Sequence, residues 1–154
     1  MEGPPVILLI ENEEDDVFLF RRALSRLNFN GTVRLVASVT EAFEYLKGER
    51  QFGDRAYFPL PDLIVSDMNL PGLTGNAFLE WLRSNEQFCD LPLVFLSGSF
   101  LPLDKVRADA LGAEGFFVKT ADIEVMCDRV QSMLKYLPPK PTEPQKPNPP
   151  GSAL

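Results

Sequence analysis

The sequence predicts an α/β sandwich of five strand–helix units, (βα)5, around an open parallel sheet. Five short apolar runs recur along the chain, and four of them are near-continuous rather than alternating, as in strands covered on both faces. The gaps between the runs carry helical apolar stripes. Strands that alternate with helices imply parallel pairing through right-handed crossovers, and hence three layers.

The elements follow in order. The runs are Val6-Ile10, Val33-Ala37, Leu63-Ser66, Leu93-Leu96 and Gly115-Val118. After the first run, Val17, Phe20, Leu24 and Leu27 share one helical face. Ser38 followed by Glu41 forms a capping box that opens a second helix, with Ala42, Phe43 and Leu46 inward. Residues 48–61 (GERQFGDRAYFPLP) are longer than the usual connection and are expected to be a surface excursion. A third helix begins near Thr74 with Phe78, Leu79 and Leu82 on its apolar side. Pro102 suits the first turn of a fourth, which carries Val106, Ala110 and Leu111 and stops at Gly112. Ile123, Met126, Val130, Met133 and Leu137 form the last and longest stripe, ended by Pro138.

The chain has 154 residues, about one ordinary domain. From Pro138 to Leu154, seven of 17 residues are proline and the only apolar side chains are Ala153 and Leu154. That segment is expected to be a disordered or polyproline-like tail, because it cannot bury enough surface to offset its ordering entropy. The domain is therefore expected to occupy residues 1–137, a length able to bury roughly two thirds of its unfolded surface. Nothing in 138–154 has the apolar periodicity of a helix-turn-helix or a catalytic domain.

Charge and composition exclude several function classes. With 22 acids against 15 bases, the net charge is -7, which argues against a nucleic-acid surface, since phosphate binding needs clustered Lys and Arg. Histidine is absent, so Ser-His-Asp and Cys-His catalysis, His-ligated zinc and a phosphohistidine on this chain are all excluded. Cys89 and Cys127 suit neither a disulfide framework nor a four-ligand zinc site, and read as two reduced thiols. No apolar run approaches the ~20 residues of a membrane span, and Val6-Ile10 is too short for a signal-peptide core. The expectation is a cytoplasmic protein.

The residues at the strand ends carry the chemistry. In an open parallel sheet, ligands bind beyond the carboxyl ends of strands where strand order reverses. Glu11 and Asn12 follow the first run, with Glu13, Glu14, Asp15 and Asp16 after them; Asp67, Met68 and Asn69 follow the third. Ser97-Gly98-Ser99 end the fourth and Lys119-Thr120 the fifth. In a flavodoxin-like order, 2-1-3-4-5, these tips meet in one crevice, where oxygen ligands, a carboxylate, a hydroxyl and an ammonium converge. That inventory suits magnesium-assisted phosphoryl transfer, in which a carboxylate serves as nucleophile. Asp15 and Asp16 read only as acids that complement the dipole of the first helix.

The segments ILLIENEEDD, DLIVSDMNLPGLTG, PLVFLSGS and GAEGFFVK resemble a response-regulator receiver domain over about residues 5 to 137. They are most similar to the single-domain subgroup associated with cyanobacterial phytochromes. The resemblance implies that Asp67 accepts a phosphoryl group from a phosphohistidine on a sensor histidine kinase or histidine phosphotransfer protein. It implies a Mg2+ site from Glu11 (through water), Asn12, Asp67 and the carbonyl of Asn69. Ser97 and Lys119 would contact the phosphoryl oxygens, Ser97 and Phe116 would form a switch, and Asn69 and Ser99 would tune hydrolysis. It further implies signalling through a protein partner, with a homodimer formed through the fourth helix, fifth strand and fifth helix, no contact with nucleic acid or membrane, and no enzymatic action beyond self-catalysed phosphorylation and dephosphorylation.

Three positions depart from the family pattern. Asn12 supplies a neutral amide where a carboxylate is usual, so Mg2+ should bind less tightly. Thr120 replaces the proline after the lysine, and since a non-proline cis bond costs ~3–4 kcal/mol, a trans peptide is expected. Phe116 lacks the hydroxyl of the tyrosine often found at the switch position. Asn12 also supports an alternative: a degenerate receiver that is purely an interaction module. A flavodoxin-like cofactor protein or a small phosphatase is a third class, but the sequence lacks a phosphate loop after the first run and a G-x-G-x-x-G fingerprint.

Overall fold

A computed structural model of the chain describes residues 3–139. Five strands, β1 (Val6–Ile10), β2 (Thr32–Val36), β3 (Leu63–Ser66), β4 (Leu93–Ser97) and β5 (Gly115–Val118), form one parallel sheet in the order β2-β1-β3-β4-β5. Between and after them run α1 (Glu14–Arg26), α2 (Val39–Lys47), α3 (Gly75–Ser84), α4 (Pro102–Ala110) and α5 (Ile123–Leu134). The predicted three-layer, flavodoxin-like sandwich is thus the observed architecture. The expected tail, 138–154, falls outside the described residues beyond Pro139.

The central strands β1, β3 and β4 are buried at every position. Successive side chains point to opposite faces, so each strand feeds two cores. Leu8, Ile10, Ile64, Leu93 and Phe95 pack with α2, α3 and α4; Ile7, Leu9, Leu63, Val65, Val94 and Leu96 pack with α1 and α5. A near-continuous apolar run is the signature of that two-sided burial. The edge strands β2 and β5 are only partly covered.

Local signals set the helix ends. The Ser38 hydroxyl accepts from the Glu41 amide, and the Glu41 carboxylate reaches back to the amide of Ala37, one residue before the cap. The Thr74 hydroxyl accepts from Ala77 at the start of α3, and Asp122 caps α5 through the amides of Glu124 and Val125. α5 ends at Leu134, with Tyr136 and Leu137 continuing as hydrogen-bonded turns rather than as helix.

One expectation is corrected and a second refined. The inward face of α4 is not Val106 and Ala110: Val106 is 63% exposed, Ala110 is exposed, and Ala108 is the buried residue, with Leu111 packed beside it. α4 covers the sheet near its edge, where one small residue and its i+3 neighbour fill the space available, so the larger apolar side chains face outward. Residues 48–61 are exposed at eight of 14 positions, as a surface excursion would be, but they are pinned to the core. They contain a 3-10 turn, Arg50–Phe52, and Phe52 is only 5% exposed. The Phe52 and Phe58 rings pack on Tyr45 with centroids 5.1 and 5.9 Å away. Arg55 donates to the carbonyls of Tyr45, Leu46 and Phe52, satisfying groups left free at the end of α2. The Tyr45 hydroxyl donates to Pro59 O at 2.8 Å.

This aromatic lock makes Phe52→Ala a core truncation, expected to cost about 3–5 kcal/mol. Urea unfolding of the purified variant measures it; a change within about 0.5 kcal/mol, the range of surface substitutions, would show the loop to be peripheral.

Candidate functional site

The sheet register gathers the strand tips. Ile10 is paired with Ser66, and Ser97 with Val118, so Glu11, Asp67 and Lys119 each lie one residue beyond a paired position. Backbone hydrogen bonds extend the ladder: Glu11 N donates to Val36 O, Asp67 N to Ile10 O and Lys119 N to Ser97 O. Gly75 lets α3 approach closely, since a Cβ there would lie 2.6 Å from the Phe95 ring and 2.8 Å from Asp67 O.

Asp67 divides its two oxygens between different partners. Oδ1 accepts from the Ser97 hydroxyl at 3.0 Å and the Asn69 amide at 3.2 Å, while Oδ2 accepts from Lys119 Nζ at 2.9 Å. Ser97 is fully buried, and its one proton has a second acceptor, Ser99 O, also at 3.0 Å. The Asn69 side-chain amide donates to Ser99 O, tying the loops after β3 and β4 together at the rim. Asp67 itself is 7% exposed, beneath a rim of exposed Asn12, Asn69, Gly98 and Ser99. On its inner side the ammonium cage meets a cavity of about 10 Å³, lined partly by Leu9, Phe20, Val65 and Leu96; that is room for about one water. The open approach is therefore from the rim.

Lys119 Nζ sits at the centre of the site. It donates to Glu11 Oε1 at 2.8 Å, Asp16 Oδ2 at 2.7 Å and Asp67 Oδ2 at 2.9 Å. Burial opposes its charge, but the hydrogen bonds to Asp16, Glu11 and Asp67 and the Asp67 charge outweigh it and hold the ammonium pKa well above its usual value. Burial alone would raise Asp67 too; the Lys119 hydrogen bond and charge, the Asn69 amide and the Ser97 hydroxyl bring it below the ordinary carboxylate value. Glu11 goes the other way. Its pKa is pushed up to about 8: burial is the main cause, Lys119 offsets part of it, and the Asp67 charge and a hydrogen bond with Asp16 add to the rise. One ammonium shared among three carboxylates, two of them buried, leaves the most enclosed acid the one whose charge is least favoured.

Asp16 is the residue missed by sequence reasoning. Read there as a dipole complement, it is instead a direct partner of Lys119. The available signal was its place in the first turn of α1, because helix side chains lean towards the N-terminus and so back over the tip of β1. Asp15, one residue earlier, is exposed and makes no side-chain hydrogen bond among the described residues.

Of the residues predicted for the site, Glu11, Asp67, Ser97 and Lys119 are brought together, and Asn69 reaches Asp67 through its backbone amide. Asn12 stands exposed at the rim and forms no side-chain hydrogen bond with a described residue. The Ser97 hydroxyl, expected to contact the phosphoryl oxygens, already lies within hydrogen-bond reach of Asp67 Oδ1. Phe116 is half-buried against Phe95 and Phe100, with ring centroids 5.8 and 4.6 Å away. No peptide among the described residues is cis, Lys119–Thr120 included.

The donors suit a hard cation: carboxylate, amide and carbonyl oxygens, with no sulfur or imidazole. Among the described residues no three His, Cys, Asp or Glu side chains are arranged to hold a metal ion directly, because the three convergent carboxylates share the ammonium. That set fits an ion such as Mg2+ that keeps several of its waters, rather than a closed protein cage. A larger cavity, about 480 Å³, lies elsewhere. It is lined by Asp62, Pro92, Glu114 and Tyr136 near the amino ends of β3, β4 and β5, away from these groups.

Comparisons with known proteins agree with this geometry. Residues 7–131 match the family model described as response regulator receiver domain. The chain is 29% identical over 130 residues to the response regulator Rre1 of Synechocystis sp., covering 84% of this chain and 52% of that protein, so it spans about half of that relative's length. The crystal structure of response regulator RPA3017, in red light signaling of R. palustris, superposes with a TM-score of 0.79 at 25% identity, covering 86% of this chain and 92% of that one. The phosphorylated cyanobacterial phytochrome response regulator RcpA does so with a TM-score of 0.77 at 26% identity, covering 88% and 94%.

The raised Glu11 predicts a pH dependence in metal-free protein. Its folded pKa lies above the unfolded value of 4.5, so the folded chain binds the extra proton between about 4.5 and 8 and this contribution to stability is lost as pH rises through that window. Asp67 has the opposite sign, but its contribution is lost only below its unfolded value of 3.8. Urea unfolding in chelator from pH 5 to 8 should therefore show a decline that Glu11→Gln flattens; an identical slope in the variant would refute the protonated Glu11.

Proposed function

The chain belongs to the response regulator receiver domain family, and on that premise we propose that it is a phosphorylatable signalling receiver that takes a phosphoryl group on Asp67. The observation that carries this reading is the division of labour at the Asp67 carboxylate. Two neutral donors hold one oxygen and an ammonium holds the other, an arrangement that keeps the group ionised and therefore nucleophilic.

The donor is a phosphohistidine on a sensor histidine kinase or a histidine phosphotransfer protein. An Asp67 oxygen attacks phosphorus, the P–N bond breaks, and the imidazole leaves with a proton, giving an acyl phosphate. Asp67, the Asn12 amide and the Asn69 carbonyl would hold Mg2+, with Glu11 acting through water, and the ion would supply neutralisation of the phosphoryl charge. Lys119 and the Ser97 hydroxyl meet the phosphoryl oxygens. Water later hydrolyses the anhydride, with Asn69 and Ser99 at the rim shaping its approach. RcpA, 26% identical, is described in phosphorylated form, which supports the same chemistry here.

The output is a change of shape. A phosphoryl group brings negative charge and acceptor oxygens to Ser97, which then gives up its bond to Ser99 O and frees the loop that leads to Phe100 and Phe116. The affected face comprises α4, β5 and α5, where Leu101, Leu103 and Val106 are exposed; it would meet a protein partner or a second copy of the chain. The receiver itself acts on no separate metabolite.

Incubation with a small acyl-phosphate donor and Mg2+, followed by intact mass, tests the reading. Wild type should gain one phosphoryl group, whereas Asp67→Asn or addition of a chelator should abolish the gain. Unmodified wild type would instead identify an interaction module that takes no phosphate. A parallel Mg2+ titration should show tighter binding by Asn12→Asp, of the order of tenfold, the size of effect typical when a metal site gains a supporting group; unchanged affinity would remove Asn12 from the metal site.

A further inference from the structure

The Lys119 ammonium has three N–H groups, and each meets a different carboxylate. Only Asp67 reacts in the transfer proposed above; Glu11 and Asp16 stay covalently unchanged. We infer that Asp16 is a positioning residue, which holds the Lys119 ammonium over Asp67 from the first turn of α1 and keeps it aimed at the phosphoryl oxygens as they arrive. The inference rests on the proposed function and deepens it by adding a residue.

The need for such an anchor follows from the lysine itself. Its ammonium ends a flexible four-carbon stem that starts at the sheet edge, so its placement has to be imposed by partners. Asp67 cannot do this throughout, because esterification removes the full charge on its carboxylate. Glu11, 4% exposed, reaches Nζ from the buried side of the cage and in the proposed function also serves the metal through water. Asp16 makes the shortest of the three contacts, 2.7 Å, from a side chain 30% exposed on the solvent side of the cage. It is the carboxylate that neither reacts nor serves the metal in the proposed function, so its contact with Nζ can persist throughout. Asp15 provides an internal control: it shares the same helical turn and dipole but does not touch Lys119.

The test compares wild type, Asp16→Ala, Asp16→Asn and Asp15→Ala in phosphorylation rate from a small acyl-phosphate donor with Mg2+. A second readout is the lysine ammonium NMR signal of metal-free protein, visible only where Nζ is shielded from exchange. Asp16→Ala is expected to slow phosphorylation by roughly ten- to a hundredfold, the range for removing an orienting partner, and to lose the Lys119 signal. Asp16→Asn, which keeps the shape and one acceptor without the charge, should fall between, and Asp15→Ala should match wild type in both. If Asp16→Ala fails to fold, Asp16→Asn carries the test. A wild-type rate and signal in Asp16→Asn, or equal slowing by Asp15→Ala and Asp16→Ala, would overturn the positioning role while leaving the proposed function intact. A wild-type protein that takes no phosphate would remove both.

Discussion

A single ammonium makes this arrangement of acids possible. Strand order and register bring Glu11, Asp16 and Asp67 to one point at the carboxyl edge of the sheet, where burial penalises every charge. Without Lys119 at 2.7–2.9 Å from all three, mutual repulsion would push these tips apart or force more of them to hold protons. The lysine thus has a structural task before any chemistry, and the two are coupled: whatever partner later competes for its N–H groups must be at least as negative as the carboxylate it displaces. A phosphoryl group meets that condition, and a divalent cation meets the complementary one by taking over the acids.

The rest of the fold seats the tips on buried strands and leaves their covers exposed. β1, β3 and β4 are buried on both faces, so Glu11, Asp67 and Ser97 project from strands with no freedom to shift register. The covering groups, Asn12, Asn69, Gly98 and Ser99, come from exposed loops. α4 adds to the contrast, anchored to the core mainly through Ala108 and Leu111 and tied to α3 by the Asn76–Asp104 hydrogen bond and the Arg107–Glu80 pair.

At the other end of the molecule, structure is held by arginine rather than lysine. Arg83 donates to the carbonyls of Cys89, Leu91 and Gly112 and to Glu114, which in turn accepts from Leu93 N. Its planar fork reaches several fixed acceptors at once and cannot be titrated away. The contrast with Lys119 is physical: a permanent staple suits a guanidinium, whereas a site that must exchange partners suits a compact ammonium on a flexible stem.

Much of this was determined by the sequence alone. The apolar runs marked five strands, the central three buried on both faces, and Asp67, Lys119, Ser97 and Glu11 were legible because each directly follows such a run. The Ser38, Thr74 and Pro102 signals are local, and local hydrogen bonding or ring geometry is sufficient to fix them. Tertiary structure alone decided the inward face of α4, the burial of Phe52 within a polar-looking loop, and the part played by Asp16. In each case the deciding neighbour is distant in the chain: Asp16 meets a lysine 103 residues away, and no periodicity within a helix turn distinguishes an acid that faces solvent from one that faces an ammonium.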